Sequence, residues 1–207
     1  MSAVTHPTRT VHSEPAAVPA EEIWRLSVEQ YHQMVRTGIL IEDDPVELLD
    51  GLLVASPPKT PRHRLATQLN RIALERLVPA CWLVDAHEPI TTGDSEPEPD
   101  VAVVRGDSRQ YLHRHPGPED IGMVVEVAES SLPRDRGIKM RLYASAGIPV
   151  YWILNLAEGR LEVYSDPTGP VEAPGFRLHT DYSGTDEAPV VLDGIEIGRI
   201  PVRELLP

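Results

Sequence analysis

The chain has 207 residues, 41% hydrophobic and 25% charged, a balance that predicts one globular domain with a sizeable core. A single cysteine, Cys81, excludes an intrachain disulfide framework and a multi-cysteine zinc site, and with no apolar run of membrane-spanning length we expect a cytoplasmic protein without a membrane partner. The formal net charge of −13 argues against a general nucleic-acid binder, because the phosphate backbone attracts Lys and Arg.

A tail, a short helix and a strand pair are predicted first along the chain. Residues 1–22 are rich in Ala, Pro, Thr and Ser without periodicity, so we expect a disordered tail before a single domain over residues 23–207. Ser27 is a typical helix cap and Gly38 a typical stop for the helix between them. The run VELLDGLLVAS then predicts two short strands that turn at Asp50-Gly51.

A second helix and two more strands are predicted before residue 106. The helix, within residues 57–78, follows from apolar side chains at helical spacing, namely Leu65, Leu69, Ile72 and Leu77 with Ala66 and Ala73. Strands are indicated by residues 81–93 and by EPEPDVAVVRG, where Asp100 opens the apolar run. Residues 106–120 are polar and predict a loop, in which we expect the HRH at 113–115 to be exposed rather than a metal cluster.

The run IGMVVEVAESS, residues 121–131, predicts a buried strand that carries one carboxylate, Glu126. An ionised carboxylate in such a strand is strongly unfavourable unless it is paired. A salt bridge to Lys139 or to an arginine would pair it, and so would a metal ion.

The run RDRGIKMRLYASAG predicts a helix with Asp135 as its N-cap and Gly147 as its stop. On that helix Asp135, Lys139 and Tyr143 are spaced by four and share one face. Further strands are predicted at residues 150–156 and 160–167 and around Asp193-Gly194. The order of elements predicts an α/β fold with a mixed central β-sheet flanked by helices.

Asp100 and Glu126 are the candidate metal ligands. If their strands are neighbours, the Cβ atoms of opposite residues lie about 4.5–5.5 Å apart. That separation suits two carboxylates that share one hard cation such as Mg²⁺. Lys139, on the following helix, could reach back to Glu126, hold a water molecule or stabilise charge on a phosphate.

These motifs together resemble a known family. EPDVAVV and the run VVEVAESSLPRDRGIKMRLYASAGIPVYWILNL are similar to the Uma-type family of bacterial proteins, a domain of unknown function within the PD-(D/E)XK restriction-endonuclease-like superfamily. The resemblance covers about residues 25–205. It implies a restriction-endonuclease-like fold and a metal-dependent endonuclease that hydrolyses phosphodiester bonds, most simply in DNA.

The resemblance also implies roles for single residues. Pro99-Asp100 matches the Pro-Asp of the nuclease motif and Glu126 its second acid, which makes both ligands of Mg²⁺ or Mn²⁺. Ala128 stands where the motif has lysine, and Lys139 takes the catalytic lysine's place from the next helix. Glu47 matches a further family position beside the metal or at a second metal. Two residues are expected to hold the metal ligands in place without binding the metal themselves, namely His63 and Asp135.

Basic residues surround these motifs although the whole chain is acidic. Residues 59–76 hold five Lys or Arg against one Glu, and residues 130–145 hold four against one Asp. Four arginines in these stretches are candidate phosphate contacts, namely Arg62, Arg64, Arg134 and Arg136. Taken singly, each of these basic residues is explained equally well as part of a solvated helix face.

Two further functions stay open at the level of sequence. The missing motif lysine and the net charge of −13 favour a catalytically silent nuclease fold that acts as a dimeric binding or regulatory module. A nuclease that relies on a partner for its DNA contacts is the other. We expect a homodimer that binds nucleic acid.

Overall fold

The computed structural model describes residues 23–41 and 44–207, so the tail predicted at residues 1–22 lies outside the described residues. The helices and strands follow in an order close to the predicted one. They are α1 (Val28–Arg36), β1 (Val46–Leu49), β2 (Leu52–Ala55), α2 (Pro61–Glu75), β3 (Trp82–Asp85), β4 (Val101–Arg105), β5 (Ile121–Ala128), α3 (Leu132–Arg134), α4 (Met140–Ser145), β6 (Val150–Asn155), β7 (Arg160–Pro167), β8 (Phe176–Ser183), β9 (Glu187–Leu192) and β10 (Ile195–Pro201).

Six strands form a mixed central sheet in the order β3-β4-β5-β6-β7-β8. β5 and β6 are parallel, and the other neighbours in the sheet are antiparallel. The segment that holds α3 and α4 connects the parallel pair, as parallel strands require. The hairpins β1–β2 and β9–β10 form two smaller sheets. The predicted α/β fold with a mixed sheet flanked by helices is confirmed.

The inner strands β4, β5 and β6 of the central sheet are buried on both faces. Every residue of β5 is buried, which fits its continuous apolar sequence. Because side chains alternate along a strand, odd-numbered residues of β4 and β5 such as Val101 and Val125 pack with α2 and β9, and even-numbered ones such as Ala102 and Val124 pack with α4. Glu126 therefore belongs to the face that α4 covers.

The predicted turn at Asp50-Gly51 joins β1 to β2. Both residues have left-handed backbone conformations, with φ of 51° and 72°, as the tight hairpin turn needs. Leu48 of β1 also forms an isolated antiparallel bridge with Glu96. The hairpin is thereby tied to the segment that leads into β4.

The segment after β5 differs from the predicted single helix. It begins at Leu132 with Pro133 in its first turn, passes through a π-helical turn at Asp135–Lys139 and continues as α4. The N-cap role of Asp135 is wrong, because the helical segment already begins at Leu132 and Asp135 lies inside it with helical backbone angles. Asp135 is 1% exposed, and its carboxylate accepts a hydrogen bond from the Ser131 hydroxyl. Single π-helical turns within α-helices are frequent at functional sites.

The apolar stripe predicted for α2 is confirmed in part. Ala66 and Ala73 of that stripe are buried, together with Asn70 and Leu74, whereas Leu65 is 46% exposed. Small side chains let the helix lie close to the sheet, and Asn70 donates hydrogen bonds to the backbone carbonyls of Ala66 and Leu205.

Across residues 23–41 and 44–207, the helices are all too short or too polar to cross a membrane.

Candidate active site

A pocket opens where β4 and β5 meet the β1–β2 hairpin, the start of α2 and the π-helical turn. Most of its lining side chains are polar or charged. Those that bear on the chemistry are Glu47, Ser56, Lys59, Thr60, His63, Glu98, Asp100, Glu126, Glu129, Ser131, Arg134 and Lys139. Six of the predicted site residues therefore line one pocket, namely Glu47, His63, Asp100, Glu126, Arg134 and Lys139.

Asp100 lies directly before β4. β4 and β5 are neighbours, with Val101 opposite Val125, so continuing the register by one residue places Asp100 opposite Glu126. The Val127 N–H donates to Asp100 Oδ2 at 2.8 Å, and His63 Nε2 lies 3.1 Å from the same oxygen. Burial alone would raise the pKa of Asp100, but these hydrogen bonds and the neighbouring positive charges outweigh it and lower the pKa. Asp100 is therefore ionised at neutral pH.

Glu126 has the opposite electrostatic environment. It is 4% exposed, and its Oε1 accepts hydrogen bonds from Lys139 Nζ at 2.8 Å and from the Tyr143 hydroxyl at 2.7 Å. Burial raises the pKa of Glu126 to about 8, and repulsion from Asp100 and other acids adds to burial, although Lys139 acts in the other direction. Burial and the excess of carboxylates over cations thus favour a proton on Glu126.

Glu47 reaches the same lysine from the β1–β2 hairpin. Its Oε2 lies 3.0 Å from Lys139 Nζ, while the Ser56 hydroxyl and the Glu98 N–H donate to its two oxygens. Burial would raise the pKa of Glu47, but Lys139 and these hydrogen bonds lower it. Lys139 is 1% exposed, and the charges of Glu126 and Glu47 raise its pKa despite burial. Lys139 is thus a buried ammonium shared by two carboxylates.

Two basic residues that the sequence did not single out also approach Asp100. Lys59 Nζ lies 3.6 Å and His87 Nδ1 3.5 Å from Asp100 Oδ1. His87 has φ of 60°, a left-handed conformation that is uncommon for a residue other than glycine. Lys59 is 41% exposed at the side chain and can leave Asp100 for an incoming anion.

The remaining predicted residues are spread around the pocket. Arg134 lines it and donates to the Ala55 carbonyl. Arg62 and Arg64 lie in the first turn of α2. Arg62 donates a hydrogen bond to the Leu156 carbonyl, and Arg64 is exposed. Arg136 lies outside the pocket lining and makes a two-pronged ion pair with Glu162. Asp135 lies behind the pocket, and its Oδ1 is buried without a hydrogen bond among the described residues.

A model of the Uma2 family, described as "Putative restriction endonuclease", matches residues 28–196. The chain belongs to the Uma2 family. The resemblance seen in the sequence is thereby confirmed. No curated protein matched the sequence.

A solved structure shares the fold of this Uma2 chain. It is the crystal structure of a protein described as "a putative nuclease belonging to DUF820" from Anabaena variabilis ATCC 29413. The TM-score is 0.60 at 14% sequence identity, and the match covers 87% of this chain and 97% of that one. At this identity the likeness shows the fold.

The contacts to Glu126 in this Uma2 protein come from the π-helical turn and α4. Ala128, two residues after Glu126, packs in the apolar cluster beneath α4. Lys139 enters instead from the π-helical turn and reaches Glu126 at 2.8 Å. Tyr143, four residues later, contacts the same oxygen, a role that its spacing from Lys139 could have suggested.

Proposed function

We propose that this Uma2 protein is an endonuclease that uses Mg²⁺ or Mn²⁺ to hydrolyse phosphodiester bonds in DNA. The observation that carries the proposal is one pocket with three buried carboxylates, Glu47, Asp100 and Glu126, in which the buried ammonium of Lys139 contacts Glu47 and Glu126. The family description supports the reaction class, since restriction endonucleases cut DNA.

The residues present fit a divalent cation. The buried carboxylates outnumber the buried ammonium, and this excess of negative charge contributes to raising the pKa of Glu126 to about 8. Oxygen ligands from one or two carboxylates suit Mg²⁺, which keeps its other positions for water and phosphate oxygens. Asp100 and Glu126 would hold it, and when bound it would lower the pKa of a water molecule and offset charge on the scissile phosphate.

The protein's own groups have distinct tasks in this proposal. Asp100 is ionised at neutral pH and is held in place by His63 and the Val127 N–H. Lys139 keeps its proton at neutral pH because its pKa is raised, so it can orient a water molecule or stabilise negative charge as the phosphate reacts. Glu47 positions Lys139 from the side opposite Glu126.

The rim of the pocket supplies phosphate contacts in the proposal. Lys59 and Arg134 line the pocket, and Lys59 is partly exposed. Arg62 and Arg64 flank it on the first turn of α2 and would meet phosphates farther along the strand. Arg136 is paired with Glu162, so the phosphate contact predicted for Arg136 is not part of the proposal.

Cleavage of supercoiled plasmid and of single-stranded DNA tests the function. Wild type is expected to cut with Mg²⁺ or Mn²⁺ and not with EDTA. Asp100→Ala and Lys139→Ala should each abolish cutting, whereas Arg141→Ala, an exposed change on the same helical segment, should cut like wild type. Cutting that survives EDTA or both pocket variants would contradict the proposal.

One observation favours the silent module instead. Lys139 and the Tyr143 hydroxyl both donate hydrogen bonds to Glu126 Oε1, so this carboxylate has partners within the protein. A silent fold needs no divalent cation at this pocket. Wild-type protein that neither cuts DNA nor binds Mn²⁺ in calorimetry would support that alternative.

A further inference from the structure

A second cluster of ligand-type side chains lies outside the pocket. It joins His32 of α1, Glu96 before β4 and His115 of the loop between β4 and β5. One ligand atom from each lies within 4.8 Å of the others. Residues 113–115 are exposed, as the sequence predicts, and the fold also brings His115 Nε2 to 3.9 Å from the buried carboxylate of Glu96.

Glu96 is the fixed centre of the cluster. It is 5% exposed, its N–H donates to the Leu48 carbonyl at 2.7 Å, and the Thr91 hydroxyl donates to its Oε2 at 2.8 Å. Among the described residues, its ion-pair partners are the two histidines, without any Lys or Arg. A buried carboxylate with only imidazole partners is open to a cation.

The two histidines lie next to different oxygens of the Glu96 carboxylate. His32 Nε2 lies 2.6 Å from Oε2, and His115 Nε2 lies 3.9 Å from Oε1. Bonds of about 2.0–2.1 Å in a tetrahedral zinc site place ligand atoms about 3.3 Å apart. Since one ligand atom from each of the three residues already lies within 4.8 Å of the others, side-chain rotations need to close gaps of at most about 1.5 Å to complete the site.

A backbone hydrogen bond fixes the loop that carries His115 next to the Glu96 segment. The Thr91 N–H donates to the Pro116 carbonyl at 2.9 Å, which ties the loop to the segment that contains Glu96. His115 is 43% and His32 is 32% exposed at the side chain, at the wall of a wide groove. A fourth ligand position would therefore face solvent.

A similar cluster elsewhere lacks these properties. Glu162, His179 and Asp181 also lie within ligand distance of one another. Arg136, Asn155 and Tyr164 already donate hydrogen bonds to Glu162. That carboxylate is neutralised by an arginine and leaves no reason for a metal ion.

We propose that His32, Glu96 and His115 form a Zn²⁺ site with water as the fourth ligand. Two imidazoles and one carboxylate suit Zn²⁺, whereas Mg²⁺ prefers oxygen ligands alone. The ion would clamp α1 and the loop after β4 onto the segment that leads to Asp100. This Zn²⁺ site does not depend on whether the protein is a nuclease.

Calorimetric titration of EDTA-treated and dialysed full-length protein with ZnCl₂ tests the site. Wild type is expected to bind one equivalent that His115→Ala weakens by about a hundredfold or more, since even residues behind metal ligands commonly contribute 10- to 100-fold. His113→Ala, in the same loop, should bind like wild type. Asp100→Ala should keep this equivalent, which separates the site from the active-site pocket.

Four results would overturn the proposal. Absence of zinc binding by wild type would do so, as would equal binding by wild type and His115→Ala. Equal losses in the His113 and His115 variants would mean non-specific chelation by the loop, and loss in Asp100→Ala would place the ion in the active-site pocket. Thermal unfolding in EDTA checks folding, and Glu96→Gln serves as a second variant with the same expected loss.

Discussion

Glu126→Gln is the substitution that most sharply tests the electrostatics of the pocket. The pKa of Glu126 is raised from an ordinary 4.5 to about 8 by burial and by its acidic neighbours. The folded state therefore holds the proton more tightly than the unfolded state, so this contribution to stability is complete below pH 4.5 and is lost as pH rises through about 8. A pKa change of this size corresponds to about 5 kcal/mol between these limits.

The measurement is the free energy of unfolding in urea with EDTA, followed from pH 4 to pH 9. The neutral glutamine cannot ionise, so the stability of Glu126→Gln relative to wild type should increase with pH by up to about 5 kcal/mol. Glu119→Gln, which removes an exposed carboxylate, should follow wild type. A Glu126→Gln profile parallel to wild type would refute the raised pKa.

Three further changes test the packing by urea unfolding. Tyr143→Phe removes a 2.7 Å hydrogen bond to a buried carboxylate and should cost about 1.5–3 kcal/mol; a loss below about 0.5 kcal/mol would contradict this bond. Gly122→Ala would place a Cβ 2.7 Å from a leucine methyl and should cost about 1–3 kcal/mol, whereas Gly137→Ala meets nothing within 4 Å and should be tolerated. Leu74→Ala should cost about 2–5 kcal/mol and the exposed Leu65→Ala far less; equal losses would contradict the orientation of α2.

The strands near the pocket could be predicted from the sequence because their signals are local. A continuous apolar run specified β5, and Pro followed by an apolar run specified β4. Strand alternation and the pairing of β4 with β5 then place Asp100 opposite Glu126. This part of the site needs only two adjacent strands.

The rest of the pocket depends on contacts between distant segments. Glu47 meets Lys139 across 92 positions of the chain, and no local pattern specifies that approach. The π-helical turn at Asp135–Lys139 is likewise invisible to helical spacing, which predicted an N-cap at Asp135. His87 and Lys59 were missed because each lies in an irregular segment between regular elements.

Charge patterns were the least informative part of the sequence. Arg134 and Arg136 belong to the same basic run, yet Arg134 lines the pocket and Arg136 pairs with a buried glutamate of β7. The direction of each side chain is set by the local backbone and by its long-range partner. A count of basic residues cannot distinguish the two.

Mn²⁺ soaked into crystals of wild type and located by its anomalous scattering would test the proposed metal site. We expect an anomalous peak bound by the carboxylates of Asp100 and Glu126, and its loss in Asp100→Ala crystals. Wild-type crystals without a peak between those two carboxylates would contradict the proposed metal-dependent active site.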